Sequence, residues 1–189
     1  MADQSHPTRA LLLDAALSLA ESGSLPRMSV DEVVRAAGVS KGTFYVHFTD
    51  RRAFLTALHR RFSEQLGAVV ASSVHGCPPG LERLDRGTHA YLSCCLAARG
   101  VRAMLLDVRS DLAISSEIRR NVARFTTLVA EDLAAAGMQG SSAAARLYVA
   151  MVAEAALAEL ELARPNAEIR AALASFAAAP ARPVLTAVP

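Results

Sequence analysis

The chain of 189 residues lacks most features that announce membrane, secreted or metal-dependent chemistry. No uncharged apolar run reaches about 18 residues, so no membrane-spanning helix is expected. The opening MADQSHPTR has no basic segment followed by an apolar block, so no secretory leader is expected there. The three cysteines, Cys77, Cys94 and Cys95, form no C-x-x-C pair and no disulfide framework. A reducing, cytoplasmic setting is therefore expected. His6, His59 and His75 are scattered without metal-ligand spacing. No glycine-rich loop follows a strand, and no G-x-S-x-G turn occurs. The expectation is thus a non-enzyme with no cofactor, no metal and no catalytic residue. There is no β alternation of any strength and no internal repeat. Lysine is almost absent: Lys41 is the only one, and arginine carries the rest of the basic charge.

What the chain does have is apolar material and helical spacing. Hydrophobic residues make up 52% of it, ample for a buried core in one or two compact units. The formal net charge of +2 is unevenly spread. Residues 1–61 hold eight basic and six acidic side chains, whereas residues 62–189 hold twelve of each. Within residues 35–61 the bases are Arg35, Lys41, Arg51, Arg52, Arg60 and Arg61, and Asp50 is the single acid. A local positive field of that kind attracts phosphate, although an ordinary solvated helix surface can carry the same charge.

That basic window overlaps the most legible stretch, VDEVVRAAGVSKGTFYVHFTDRRAF, from Val30 to Phe54. Ser29 is placed to N-cap a helix, and Glu32 three residues on completes an S-x-x-E capping box. Val30, Val33 and Val34 recur at helical spacing. Gly38 supplies the left-handed conformation that a helix stop needs. Ser40 then N-caps a second short helix. On it Phe44 and Phe48, four apart, are set to pack inward together. Lys41, Thr43, Tyr45 and His47 point elsewhere and can donate hydrogen bonds. Two short helices joined by a glycine turn, the second edged with donors, form the pattern of a helix-turn-helix for the DNA major groove. Lys41 suits guanine O6 and N7 or a phosphate, and Gly42 lets the backbone approach closely. Thr43 offers a methyl or a hydroxyl to a base edge, while Tyr45 and His47 suit phosphate contacts that fix register. Ser29 and Arg51, each at or beside a helix N-terminus, are expected to hold phosphates. Ser40 completes the expected DNA-binding set.

The same residues resemble the signature of the tetracycline-repressor (TetR) family of bacterial transcriptional regulators. The matching elements are Ala37-Gly38-Val39-Ser40, Gly42-Thr43, Tyr45-x-His47-Phe48 and Arg51. Upstream, Leu12, Ala15, Ala16, Leu19 and Gly23 match the family's first helix. The resemblance covers roughly residues 8–58. Ser29 stands where threonine is commoner, Arg51 where lysine is commoner, and Ala20 where a large apolar or aromatic residue is usual. The loop Gly23 to Ser29 is about one residue longer than the commonest form. Serine and arginine keep the hydroxyl and the charge, and Ala20 bears only on local packing. The resemblance implies an all-α fold. An N-terminal three-helix helix-turn-helix DNA-binding domain would span residues 1–54. A C-terminal helical ligand-binding and dimerisation domain would follow over 55–179, then an irregular tail over 180–189. It also implies a homodimeric repressor on an inverted-repeat operator in double-stranded DNA, released by a small, mostly apolar inducer.

Beyond the motif, spacing predicts helices over roughly 8–22, 50–72, 81–100, 115–137, 142–163 and 167–178, with a short one over 101–108. His75-Gly76-Cys77-Pro78-Pro79-Gly80 reads as a linker. Ser141 or Ser142 is expected to cap the long helix, and Pro165-Asn166 the last one. The long helix is alanine-rich, with Leu147, Tyr148, Met151, Val152, Leu157 and Leu160 spread widely around it. Such a helix must be covered on more than one side. One side suits its own subunit and the other invites a second copy; the competing reading is a central core helix of a monomer. Phe62, Leu66, Tyr91, Met104, Leu105, Val108, Phe125, Leu128 and Met151 are the candidate lining of a ligand cavity, a pattern that plain core also produces. Cys94 and Cys95 lie about 100° apart on a helix and do not converge on one ion. Cys95 shares an apolar stripe with Leu84 and Tyr91, as a buried thiol does. The alternative from another class is a small helical ligand-binding protein or enzyme that keeps the motif without using it.

Overall fold

A computed structural model of the chain describes residues 6–21, 29–98, 112–138 and 140–178. Among these residues there are eight helices and no strand. They are α1 (Pro7–Glu21), α2 (Val30–Ala36), α3 (Lys41–His47), α4 (Arg51–Ser73), α5 (Leu81–Ala97), α6 (Leu112–Ala135), α7 (Ser141–Leu162) and α8 (Ala167–Ala178). The chain divides into two compact units, Met1–Gly67 with Ala97–Arg119 and Ala68–Leu96 with Arg120–Pro189. No described helix is long and apolar enough to cross a membrane. The short helix expected over 101–108, most of the loop before Ser29 and the tail 180–189 lie outside the described residues.

In the first unit, Pro7 opens α1 at the position where its missing N–H costs nothing, and His6 Nδ1 accepts a hydrogen bond from the Thr8 N–H at 3.3 Å. Leu12, Ala16 and Ala20 are fully buried, with Leu13 and Leu17 beside them, so α1 lays a broad apolar stripe against α2 and α3. The small side chain at Ala20 therefore sits within the packed core. Helix α2 has only seven residues and depends on its ends. Ser29 Oγ accepts from the Glu32 N–H at 3.2 Å, and Glu32 Oε2 accepts from the Ser29 N–H and from Ser29 Oγ, each at 2.8 Å. This is the expected capping box, and the Ser29 N–H chiefly, then its hydroxyl, holds the Glu32 carboxyl below its ordinary range. At the other end Gly38 takes φ +67°. The Val39 N–H reaches back to the Val34 carbonyl at 3.0 Å and the Gly38 N–H to Arg35 at 3.2 Å, closing a Schellman stop. Phe44, Phe48 and Phe54 form a cluster with ring centroids 5.1 to 5.2 Å apart. The Arg9 guanidinium lies 5.0 Å over the Phe48 ring. Arg61 ties α4 to α1 through Asp14 at 3.0 and 3.2 Å.

In the second unit, buried polar groups fix how the helices meet. The Gly80 N–H donates to Asp132 Oδ1 at 3.0 Å, and Arg83 pairs with the same carboxylate, which is buried. The Thr88 and Tyr148 hydroxyls lie 3.1 Å apart, and burial pushes the Tyr148 phenol above its ordinary range. Glu159, only 1% exposed, accepts from Arg170 Nε at 2.6 Å, Arg170 Nη2 at 2.7 Å and the Asn166 N–H at 2.9 Å. Asn166 caps α8 as expected, its Oδ1 accepting from the Glu168 and Ile169 N–H groups at 3.1 and 3.2 Å. The cap of α7 differs from expectation. It falls on Gly140, at φ 66°, with no side-chain bond, and Ser141 is the first helical residue. The chain enters that helix through left-handed backbone, which glycine adopts without strain. Helix α7 buries Ala145, Tyr148, Val152, Ala155, Ala156 and Glu159, while Leu147 and Leu162 face outward.

Candidate nucleic-acid interface

Helix α3 owes its orientation to Phe44 and Phe48. Both are buried in the aromatic cluster, which turns the opposite side of the helix to solvent. That side presents Lys41, Gly42, Tyr45 and Val46, two consecutive pairs one turn apart. A Cβ built on Gly42 would meet only Ser40 Oγ, at 3.6 Å, so the surface is low and open at the start of the ridge. Tyr45 is 52% exposed and Val46 80%.

The polar residues around this ridge are more committed than their spacing alone suggests. Ser40 caps α3, its Oγ accepting from the Thr43 N–H at 3.1 Å and lying 2.9 Å from Thr43 Oγ1. Thr43 is half-buried, and its hydroxyl belongs to that cap. The Lys41 ammonium lies 3.0 Å from Asp31 Oδ1 and 3.2 Å from Oδ2. The hydrogen bond to Asp31 and the charge behind it raise the Lys41 pKa. His47 is half-buried, with the His6 ring 4.5 Å away, centroid to centroid. Among the described residues no group of three or more metal-ligating side chains converges, so these two rings have no third ligand. Ser29 spends its hydroxyl on Glu32. Arg51 opens α4 and is exposed, next to Asp50, whose Oδ1 accepts from the Ala53 N–H at 2.7 Å. The helix starts at Ser29, Ser40 and Asp50 are thus each closed by their own cap.

Three residues here carry no local signal in the sequence for the part they play. Asp31 was outside the basic window, and its pairing with Lys41 crosses the turn at a separation of ten residues, a spacing with no local signature. His6 reaches His47 only because α1 packs on α3. Val46 falls between two donors and looks like filler until its exposure is known. Of the residues proposed for a ligand cavity, Phe62 and Leu66 are buried in the first unit. In the second, Tyr91 and Phe125 meet edge to face at 5.8 Å, Met151 is half-buried, and Leu128 is 40% exposed. Met104, Leu105 and Val108 lie outside the described residues.

Three packed helices, the third carrying an exposed ridge with a cationic end, define a helix-turn-helix domain. Residues 12–58 match the family model of bacterial regulatory proteins, tetR family, so this stretch is similar to that family's N-terminal domain. A relative in Escherichia coli K12, the HTH-type transcriptional regulator UidR, is 22% identical over 111 residues, covering 59% of this chain and 55% of its own length. The chain thus matches only about half the length of that relative. Solved structures of similar shape include a transcriptional regulator from Rhodococcus sp. Rha1, with TM-score 0.73 and 21% identity, covering 89% of this chain and 93% of that one. The fatty acid degradation regulator FadR from Bacillus halodurans has TM-score 0.71 and 15% identity, covering 92% and 94%. At such identities these likenesses carry the fold.

Proposed function

We propose that the protein is a homodimeric DNA-binding transcriptional regulator, a repressor that leaves an inverted-repeat operator when a small, mostly apolar molecule binds its second unit. The observation that carries the DNA-binding part is the ridge of α3, held outward by Phe44 and Phe48. Lys41 stands at its start, with His47 and Arg51 at its far end. In this reading Gly42, Tyr45 and Val46 enter the major groove, and Tyr45, His47 and Arg51 contact phosphates that set register. Lys41 exchanges Asp31 for a phosphate or a guanine edge. Ser29, Ser40 and Thr43 serve mainly as caps that hold the reading helix in place. Dimerisation is supported by the outward side chains of α7 and α8: Leu147 at 68%, Leu162 at 46% and Phe176 at 61% exposure. Exposed apolar groups this large on adjacent helices suit burial against a second copy. The half-buried Tyr91–Phe125 pair supports an apolar ligand site in the same unit. A cytoplasmic location follows from work on DNA.

Purified protein mixed with sheared genomic DNA of its source should retain a small set of fragments. Footprints on them should show two half-sites related by a two-fold axis, with centres one helical turn or a multiple apart, about 34–36 Å per turn. Retention without sequence preference, or of a single asymmetric half-site by one monomer, would overturn the proposal.

A further inference from the structure

We infer that Val46 is a specificity-determining residue, whose isopropyl group packs against the 5-methyl of one thymine in each operator half-site. The inference rests on the DNA-binding reading above and deepens it. Val46 is 80% exposed, more than Leu147 at 68% or Phe176 at 61%, which lie on the faces assigned to dimerisation. A single exposed valine elsewhere on a surface needs no explanation. Here it stands in a seven-residue helix, where a β-branched side chain costs helix stability and gains no burial in return.

Its place on the ridge supplies the function. Val46 follows Gly42 by one turn, and the missing side chain at Gly42 lets the helix sit deep enough for the next turn to reach base edges. Thr43, the other side chain of α3 that carries a methyl, is half-buried and tied into the Ser40 cap. Lys41 and Tyr45 offer polar atoms, which phosphates can satisfy without sequence information. Valine offers only methyl groups and cannot hold a phosphate. The apolar group that a base pair displays in the major groove is the thymine methyl. Contact with it adds sequence preference and leaves the salt dependence unchanged.

The test replaces each thymine of a selected operator, one symmetric pair at a time, with deoxyuridine, which lacks only that methyl. Wild type should lose about fourfold in affinity per half-site at one position, the factor expected for burial of one methyl group. Val46→Ala should bind the parent operator more weakly, ignore uracil at that position, and keep the wild-type salt slope. Val46→Ile, which keeps the branched methyls, should stay sensitive to uracil. Because Val46 is exposed, all forms should share the wild-type circular dichroism. Specific binding by wild type that no uracil position weakens, or equal uracil sensitivity in wild type and Val46→Ala, overturns this inference and leaves the regulator reading intact. A chain that retains no DNA at all overturns both.

Discussion

Replacing Glu159 with alanine should be among the most damaging single changes in the second unit. The carboxylate is 1% exposed, and the Arg170 side chain that holds it is 13% exposed. Three donors converge on it, at 2.6, 2.7 and 2.9 Å. Removing it leaves the Arg170 guanidinium largely desolvated, with Ser93 Oγ at 3.4 Å as its remaining contact there. Breaking a buried pair from one side costs about 3–5 kcal/mol, against a total stability of roughly 5–15 kcal/mol. For a chain of this length that corresponds to a fall in Tm on the order of 10 °C. Urea titration followed by circular dichroism measures it directly. The double change Glu159→Leu with Arg170→Met should recover most of the loss, because neither charge is then stranded.

The pH dependence has a definite sign. The Arg170 hydrogen bonds hold the Glu159 carboxyl below its ordinary value, the Asn166 N–H helps, and burial opposes them. The folded chain therefore gives up this proton more readily than the unfolded chain. The stabilisation is complete above the unfolded carboxylate range, about 4.3, and is lost as pH falls through the lower folded value. The gap between wild type and Glu159→Gln should accordingly be full above about pH 5 and shrink below it. A cost under about 1 kcal/mol for Glu159→Ala at pH 7 would refute the reasoning, since that is the range of exposed pairs.

Ser29→Ala should destabilise the first unit by about 1 kcal/mol through loss of the capping box, seen as a lower urea midpoint, and weaken DNA binding only in proportion. Asp31→Asn should raise affinity for DNA, because it frees Lys41 and removes an acid from the approaching phosphates; an unchanged Kd by fluorescence anisotropy would count against that role. Leu147→Arg and Phe176→Asp should turn dimers into monomers by light scattering while the protomer stays helical. Ala155 is a poorer probe, since it is buried within the protomer and a charge there would disrupt the fold itself.

The first unit was legible because its signals are local. The capping box at Ser29 and Glu32, the stop at Gly38 and the Phe44–Phe48 spacing each involve residues within a turn or two, and each appears as read. Helix limits agreed to within a few residues for the same reason. The α7 cap differs from the sequence expectation because two serines carry a stronger capping signal than a glycine, although Gly140 has the required backbone freedom. What the sequence hid is long-range: Lys41 held by Asp31, His47 against His6, and Glu159 clasped by Arg170. Each joins elements whose meeting depends on packing and not on spacing. Of the donors expected along α3, Lys41 is held by Asp31 across the turn and the Thr43 hydroxyl by the local Ser40 cap, while Tyr45 stays exposed.

In the proposed function, α3 and its surroundings form a cationic reader of duplex DNA. The test is to titrate the purified protein onto an operator duplex between roughly 50 and 200 mM salt, with log K plotted against log salt concentration. A linear fall is predicted, with slope near 0.9 per phosphate neutralised, reduced by about one unit in Arg51→Ala. Binding that is flat with salt, or a slope that Arg51→Ala leaves unchanged in a folded protein, would contradict the account.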